Sequence, residues 1–223
     1  PGYNFVGWTG SNGTTPSKTV SIAKGSTGNK IFTANWEAKT ATYTVEHYKE
    51  NLDGTYTKAT SDTEQLTAGI NTTVTATYKT YTGFNSNTSH ANKIETGTVA
   101  EDGSLVLKLY YDRNSYDLTI NHYLQNADDD NFTLVQTQTD AGKVFGSTVT
   151  LNTKKIDIEN ATYSYGTDNK GNTQTVITIA SANNVINLYY VRNTAKLTVN
   201  HYVENANNTE YTLQNTEEIA DIR

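Results

Sequence analysis

The chain has 223 residues, a net charge of −6, 16 Tyr, two Pro, and neither Cys nor Met. Lack of Cys excludes disulfides and thiolate metal sites, and lack of a basic stripe argues against nucleic acid and anionic membrane surfaces as partners. No apolar run approaches the length that spans a bilayer, so no membrane insertion is expected within these residues. Abundant Thr, Tyr, Val and Ile suit pleated, half-buried surfaces, which predicts a mainly β or α+β fold. A chain without Cys or Met also suits an exposed, oxidising setting.

In chain order, residues 1–38 open with Gly2-Tyr3-x-Phe5-x-Gly7-Trp8 and close with Ala34-Asn35-Trp36. Trp8 and Trp36 are expected in the core of this segment. Residues 39–114 begin with a strand, YTVEHY at 43–48, whose inward set is Tyr43, Val45 and His47. The turn Asn51-Leu52-Asp53-Gly54 and a returning strand over 56–60 complete a hairpin. A short strand follows at Thr73-Val74-Thr75, then a stretch able to form one helical turn. The closing strand puts Leu105, Leu107, Leu109 and Tyr111 on one face and Val106, Lys108 and Tyr110 on the other.

Residues 115–193 repeat this order. LTINHY at 118–123 alternates Leu118, Ile120, His122 and Leu124 inward; a turn holds Asp128-Asp129-Asp130-Asn131; a strand returns over 132–138; Thr148-Val149-Thr150 is the short strand; and Ile186, Leu188 and Tyr190 face inward in the last. Residues 194–223 hold a third opening, LTVNHY at 197–202, and then only a returning strand. His47, His122 and His201 stand 75 (122 − 47) and 79 (201 − 122) residues apart. That period is too long for a solenoid unit and near the lower limit for a folding domain. The expected organisation is therefore a partial module at 1–38, full repeats at 39–114 and 115–193, and a truncated repeat at 194–223. Joints of a few residues, neither Gly/Ser-rich nor Pro-rich, predict an elongated rod.

Residues 1–38, through the Gly2-Tyr3-x-Phe5-x-Gly7-Trp8 pattern, resemble the C-terminal half of a Listeria–Bacteroides repeat of the internalin B-repeat type. The two full repeats resemble mucin-binding (MucBP-like) repeats of Gram-positive surface proteins. They share the opening strand with its His, a central Val-Thr stretch, a midpoint of the Tyr81-Thr82-Gly83-Phe84 kind and the closing Leu-Tyr-Tyr strand. The second repeat carries Ile156-Asp157-Ile158 at that midpoint instead. Both resemblances imply tandem small β-grasp-like modules in wall-attached or secreted bacterial proteins, with first and last strands side by side.

The recurrent histidines invite a metal or acid–base reading. Each lies on the apolar face of its strand, so a structural role is expected. The Asp128–Asn131 turn offers oxygen atoms to Ca²⁺, but the equivalent turns, Asn51-Leu52-Asp53-Gly54 and Asn205-Ala206-Asn207-Asn208, do not repeat its carboxylates, and a solvated hairpin turn is expected. Lys108 aligns with Asn187, and no Lys/Asn/acid set for an isopeptide crosslink is shared between repeats. No catalytic residue, metal site or cofactor is expected. The candidate ligand-binding residues are Tyr48, Tyr110, Tyr123 and Tyr189: if first and last strands pair, each repeat carries two tyrosines on its outer face, suited to stacking on sugars or anchoring a protein.

A lone hairpin is barely stable in water. Residues 197–213 are therefore expected to pack on the second repeat or to add a strand edge to another chain. The function expected is that of an extracellular repeat region of a bacterial surface adhesin, acting as stalk and as module for host glycan, mucin or a surface protein. The alternatives are a purely structural spacer or an accessory binding module of a secreted glycan-degrading enzyme.

Overall fold

The structure is a computed structural model that describes residues 2–129, 131–159, 161–164, 176–207 and 209–222. Strands account for 58% of the chain and helical turns for 3%, so the fold is mainly β. Two compact units divide between Arg113 and Asn114.

The first unit opens with β1 (Tyr3–Gly10), β2 (Gly13–Ser17) and β3 (Phe32–Ala38), an antiparallel sheet in the order β2-β1-β3. Its sequence motif has a steric reason. A Cβ on Gly7 would stand 2.6 Å from the backbone nitrogen of Ser17, where β1 bulges against its neighbours. The first repeat then runs β4 (Thr40–Glu50), β5 (Tyr56–Lys58), β6 (Glu64–Gly69), β7 (Thr73–Thr75), β8 (Phe84–Ser86), β9 (Thr96–Thr98) and β10 (Val106–Arg113). The main sheet has the order β5-β4-β10-β8, with β6 also on β4, and β7 pairs with β9.

The central pair, β4 with β10, is parallel, with Leu109 opposite His47 and Tyr110 opposite Tyr48. Parallel neighbours need a crossover, and here β5 to β9 supply it without a long helix. The inward alternation of β4 and β10 buries Val45, Leu107, Leu109 and Tyr111, and the crossover adds Ala76 and Val99 from the other side.

The second unit contains β11 (Ser115–Gln125), β12 (Phe132–Val144), β13 (Thr148–Thr150), β14 (Ala161–Ser164), β15 (Val176–Thr178), β16 (Val185–Arg192), β17 (Ala195–Glu204) and β18 (Tyr211–Ile222). Its main sheet runs β12-β11-β16-β14, again around a parallel pair, and β13 pairs with β15. Leu118, Ile120, Leu151, Ile179 and Leu188 are fully buried in its core.

The repeats differ where the hairpin returns. One 13-residue strand, β12, covers β11, whereas β4 is covered by two short strands separated by a 3-10 turn at Thr60–Asp62. The helical turn of the second repeat follows its short strand as expected, at Leu151–Lys154. In the first repeat the turn precedes that strand instead.

The closing arginines act as clamps. Arg113 Nε donates to the Glu50 carbonyl at 2.8 Å, and Arg192 Nε donates to the Gln125 carbonyl at 2.8 Å. Each ties the end of the closing strand to the end of the opening one, which accounts for the recurring Arg-Asn after Leu-Tyr-Tyr.

The terminal hairpin does not join the sheet of the second repeat. Among the described residues, β17 and β18 pair only with each other. Leu197, Val203 and Leu213 are each about half exposed rather than packed on the second repeat (47%, 54% and 47%). Both neighbours of β11 are in place, β12 on one edge and β16 on the other, so the hairpin does not substitute for either.

Replacing Leu188 with Ala is expected to lower the stability of the second repeat by about 2–5 kcal/mol. Val135→Ala, on the exposed side of β12, should cost less than about 0.5 kcal/mol. Urea unfolding of the two variants measures the difference.

Candidate functional site: paired tyrosines over a buried histidine

Parallel pairing in register fixes what lies on each face. On the outer face, Tyr48 and Tyr110 stack with ring centroids 5.0 Å apart and planes 16° from parallel. Tyr123 and Tyr189 do the same at 5.3 Å and 27°. The four tyrosines singled out in the sequence thus come together as two pairs. Stacked tyrosines present an apolar surface with a polar tip, which fits sugar rings and protein side chains alike.

The pairs are not equally open. Tyr110 is only 7% exposed. His90 stacks on it at 3.7 Å, and Tyr56 meets it edge-on at 5.3 Å. Tyr48 is half-buried and keeps its hydroxyl on Glu46 at 2.7 Å. That bond, with a smaller contribution from burial, pushes the Tyr48 phenol up to about 12. Burial, followed by a hydrogen bond to Asp112, pushes Tyr56 up to about 12. Both phenols are therefore neutral donors at ordinary pH. Tyr123 and Tyr189 are both half-buried, with Phe132 edge-on to Tyr189 at 5.2 Å.

Beside Tyr110 lies an open depression of about 440 Å³, lined by Ala91, Asn92, Lys93, Ile94, Lys108 and Tyr110. Lys93 is held by Glu95 at 2.8 Å. His90, Tyr56 and this depression escaped the sequence reading because they come from the irregular crossover and from the short strand β5. No period-2 signal marks the crossover.

On the inner face, His47 is fully buried between two partners. Nδ1 lies 2.7 Å from the Tyr111 hydroxyl, and Nε2 lies 2.8 Å from Glu64. The Lys79 backbone N–H donates to the same hydroxyl at 3.0 Å. The tyrosine is thereby free to donate its proton to Nδ1, and Nε2–H to donate to the carboxylate. The second repeat keeps half of this arrangement: His122 Nδ1 lies 3.0 Å from the Tyr190 hydroxyl, which accepts the Ile156 N–H at 3.0 Å. Gln138 stands where Glu64 does, in the residue opposite Ile120 as Glu64 is opposite Val45. His122 Nε2 has no hydrogen-bond partner of good geometry.

An acid or amide thus follows each histidine by 17, 16 and 16 residues, at Glu64 (64 − 47), Gln138 (138 − 122) and Glu217 (217 − 201). That spacing was the available signal for a partner the strand pattern alone does not reveal. The arrangement ties closing strand to opening strand and leaves His47 and His122 no exposed nitrogen.

The remaining candidates divide similarly. Asp129 Oδ1 caps its own turn, accepting from Asn126 at 2.9 Å and from the Asn131 N–H at 2.8 Å; Asp130 lies outside the described residues. No group of three His, Asp or Glu side chains able to hold a metal ion occurs among the described residues. Asn187 accepts from the Asn121 amide at 3.0 Å, and Lys49 lies 3.5 Å above the Tyr81 ring. In the first segment Phe5 meets Trp8 and Trp36 edge-on at 5.3 and 5.2 Å. Trp36 is 59% exposed, while Phe5 and Trp8 are half-buried. No protein-family model matches the chain, and no curated protein is similar to it.

Burial holds the His122 imidazole below its ordinary value of 6.5, while Gln138 favours the charged form. The unfolded chain therefore takes up the proton first as pH falls. The second repeat should keep this contribution in full above the ordinary value and lose it as pH drops through the lowered one. Gln138→Glu restores the carboxylate of the first repeat and should flatten the acid loss. Melting temperatures of both proteins between about pH 7.5 and about pH 5 test this.

Proposed function

We propose that this chain is an extracellular repeat region of a Gram-positive bacterial surface protein, a stalk whose outward tyrosines contact glycan, mucin or a surface protein. The observation that carries the reading is the recurrence of one stacked tyrosine pair at the same register in both full repeats. Buried cores explain repeated leucines; they do not require repeated tyrosines on the opposite face. The sequence resemblance to mucin-binding repeats supports the same reading. In the first repeat the contacting ring is Tyr48, with the depression beside Tyr110 as its flank; in the second it is the Tyr123–Tyr189 pair. The proposal includes no catalysis: His47 and His122 are sealed under the sheet, and the exposed His201 belongs to no group of three possible metal-holding side chains among the described residues.

A second reading, a spacer without ligand, draws on the cover that His90 and Tyr56 place over Tyr110. There the tyrosines serve only as cross-strand packing.

A glycan and mucin binding screen of residues 1–223 against a Tyr48→Ala/Tyr123→Ala variant separates the two. Saturable binding that weakens at least about tenfold in the variant, at an unchanged melting temperature, is the expected result. Absence of binding by either protein at millimolar ligand would leave the spacer.

A further inference from the structure

The crossover is strapped to β10 at two points beside the first tyrosine pair. His90 lies flat on the Tyr110 ring at 3.7 Å. Ile94 and Lys108 exchange both backbone hydrogen bonds, Ile94 N–H to the Lys108 carbonyl at 3.0 Å and Lys108 N–H to the Ile94 carbonyl at 2.8 Å. The chain between these anchors, with Lys108 and Tyr110 of β10, lines the depression of about 440 Å³. That volume lies within the range of about 300–1,000 Å³ usual for small-molecule sites.

One lining side chain is a cation without a counter-ion. The first repeat has six lysines, at 39, 49, 58, 79, 93 and 108. Five hold a carboxylate: Lys39 on Glu101, Lys49 on Asp62, Lys58 on Glu46, Lys79 on Glu64 and Lys93 on Glu95. Lys108, which is half-buried, has no such partner among the described residues. Its two neighbouring carboxylates are already taken. Glu46, directly opposite on β4, accepts from Tyr48 at 2.7 Å and from Lys58 at 3.0 Å. Glu95, next to Ile94, accepts from Lys93 at 2.8 Å. An ammonium partly withdrawn from water and left unpaired gains most from an anion brought to it.

The second repeat lacks this charge. Asn187 stands in the place of Lys108, opposite Asn121, whose amide donates to it at 3.0 Å. The two outer faces thus share their tyrosines and differ in their ions.

We infer that the depression beside Tyr110 is a subsite for an acidic sugar: a pyranose whose single carboxylate or sulfate ester pairs with Lys108 Nζ. Asn92 meets its hydroxyls, and Ile94 with the edge of Tyr110 meets its C–H face. A chain of net charge −6 repels a polyanion at long range, so one anionic group on a sugar fits better than a run of them. The inference rests on the glycan reading of the outer face and names the sugar that the first repeat takes.

The test titrates the isotope-labelled full chain with methyl glucuronide, with methyl glucoside, which differs only in lacking the carboxylate, and with glucose 6-sulfate. Backbone NMR shifts are followed up to about 50 mM sugar. Saturable shifts within 91–94 and 108–110 are expected with the glucuronide, and at least about fivefold weaker binding with the glucoside. Lys108→Gln should lose that advantage at an unchanged melting temperature, and Lys108→Arg should keep affinity within about twofold. Binding of glucose 6-sulfate beside the glucuronide supports the inference with either anion; binding of one alone supports it and assigns the source. Acetate giving the same shifts at the same concentration would mean an adventitious ion only and would overturn the sugar subsite. Equal binding of the glucoside, or glucuronide binding undiminished in Lys108→Gln, overturns the charge requirement and leaves the wider glycan reading standing. No shift within 91–94 and 108–110 with any of the three sugars overturns the inference outright, while shifts at Tyr123 and Tyr189 in the same spectra report separately on the wider reading.

Discussion

A parallel pair of strands cannot be joined by a tight turn, so setting β4 beside β10 and β11 beside β16 obliges everything between them to cross one face of the sheet. The crossover becomes the second layer of the core. In a repeat of under eighty residues there is little room for a long helix, and short strands and 3-10 turns do the covering. The buried leucines of the closing strand, the histidine of the opening strand and the tyrosine that meets it all follow from this one pairing.

The His–Tyr contact shows how register is enforced from within. A buried hydroxyl and a buried imidazole must find partners or lose their solvation without return. Tyr111 and His47 satisfy one another, as Tyr190 and His122 do. Sliding the closing strand by one residue would turn both the tyrosine and the leucines to the wrong face. The first repeat completes the arrangement with Glu64, whereas the second has Gln138 there, and burial holds its histidine toward the neutral form against the opposing effect of Gln138.

The same register governs the outer face. Because the side-chain period of a strand is two, a pairing that buries Leu109 and Tyr111 must turn Tyr110 outward opposite Tyr48. Whether an outward residue remains available is then decided by the crossover, and in the first repeat His90 and Tyr56 fold over Tyr110. The sheets at either end of the chain lie outside this scheme. The first segment leaves Trp36 bare, and the terminal hairpin leaves the inward set of β17 bare; in each, apolar residues lack the second layer that the full repeats build for themselves.

Much of this was legible in the residues alone. Alternation over 118–124 and 105–111 specified strands and their buried faces, and repetition of His-Tyr and Leu-Tyr-Tyr specified the units. The short strands Thr73–Thr75 and Thr148–Thr150 were readable from their β-branched residues. These are local properties, set by a period-2 pattern and by steric preference. Only the tertiary structure decided which strand lies beside which, that Glu64 closes on His47, and that Tyr110 is covered. Each of those depends on residues distant in sequence meeting across a crossover with no period of its own, and a pattern read along the chain carries no term for such meetings.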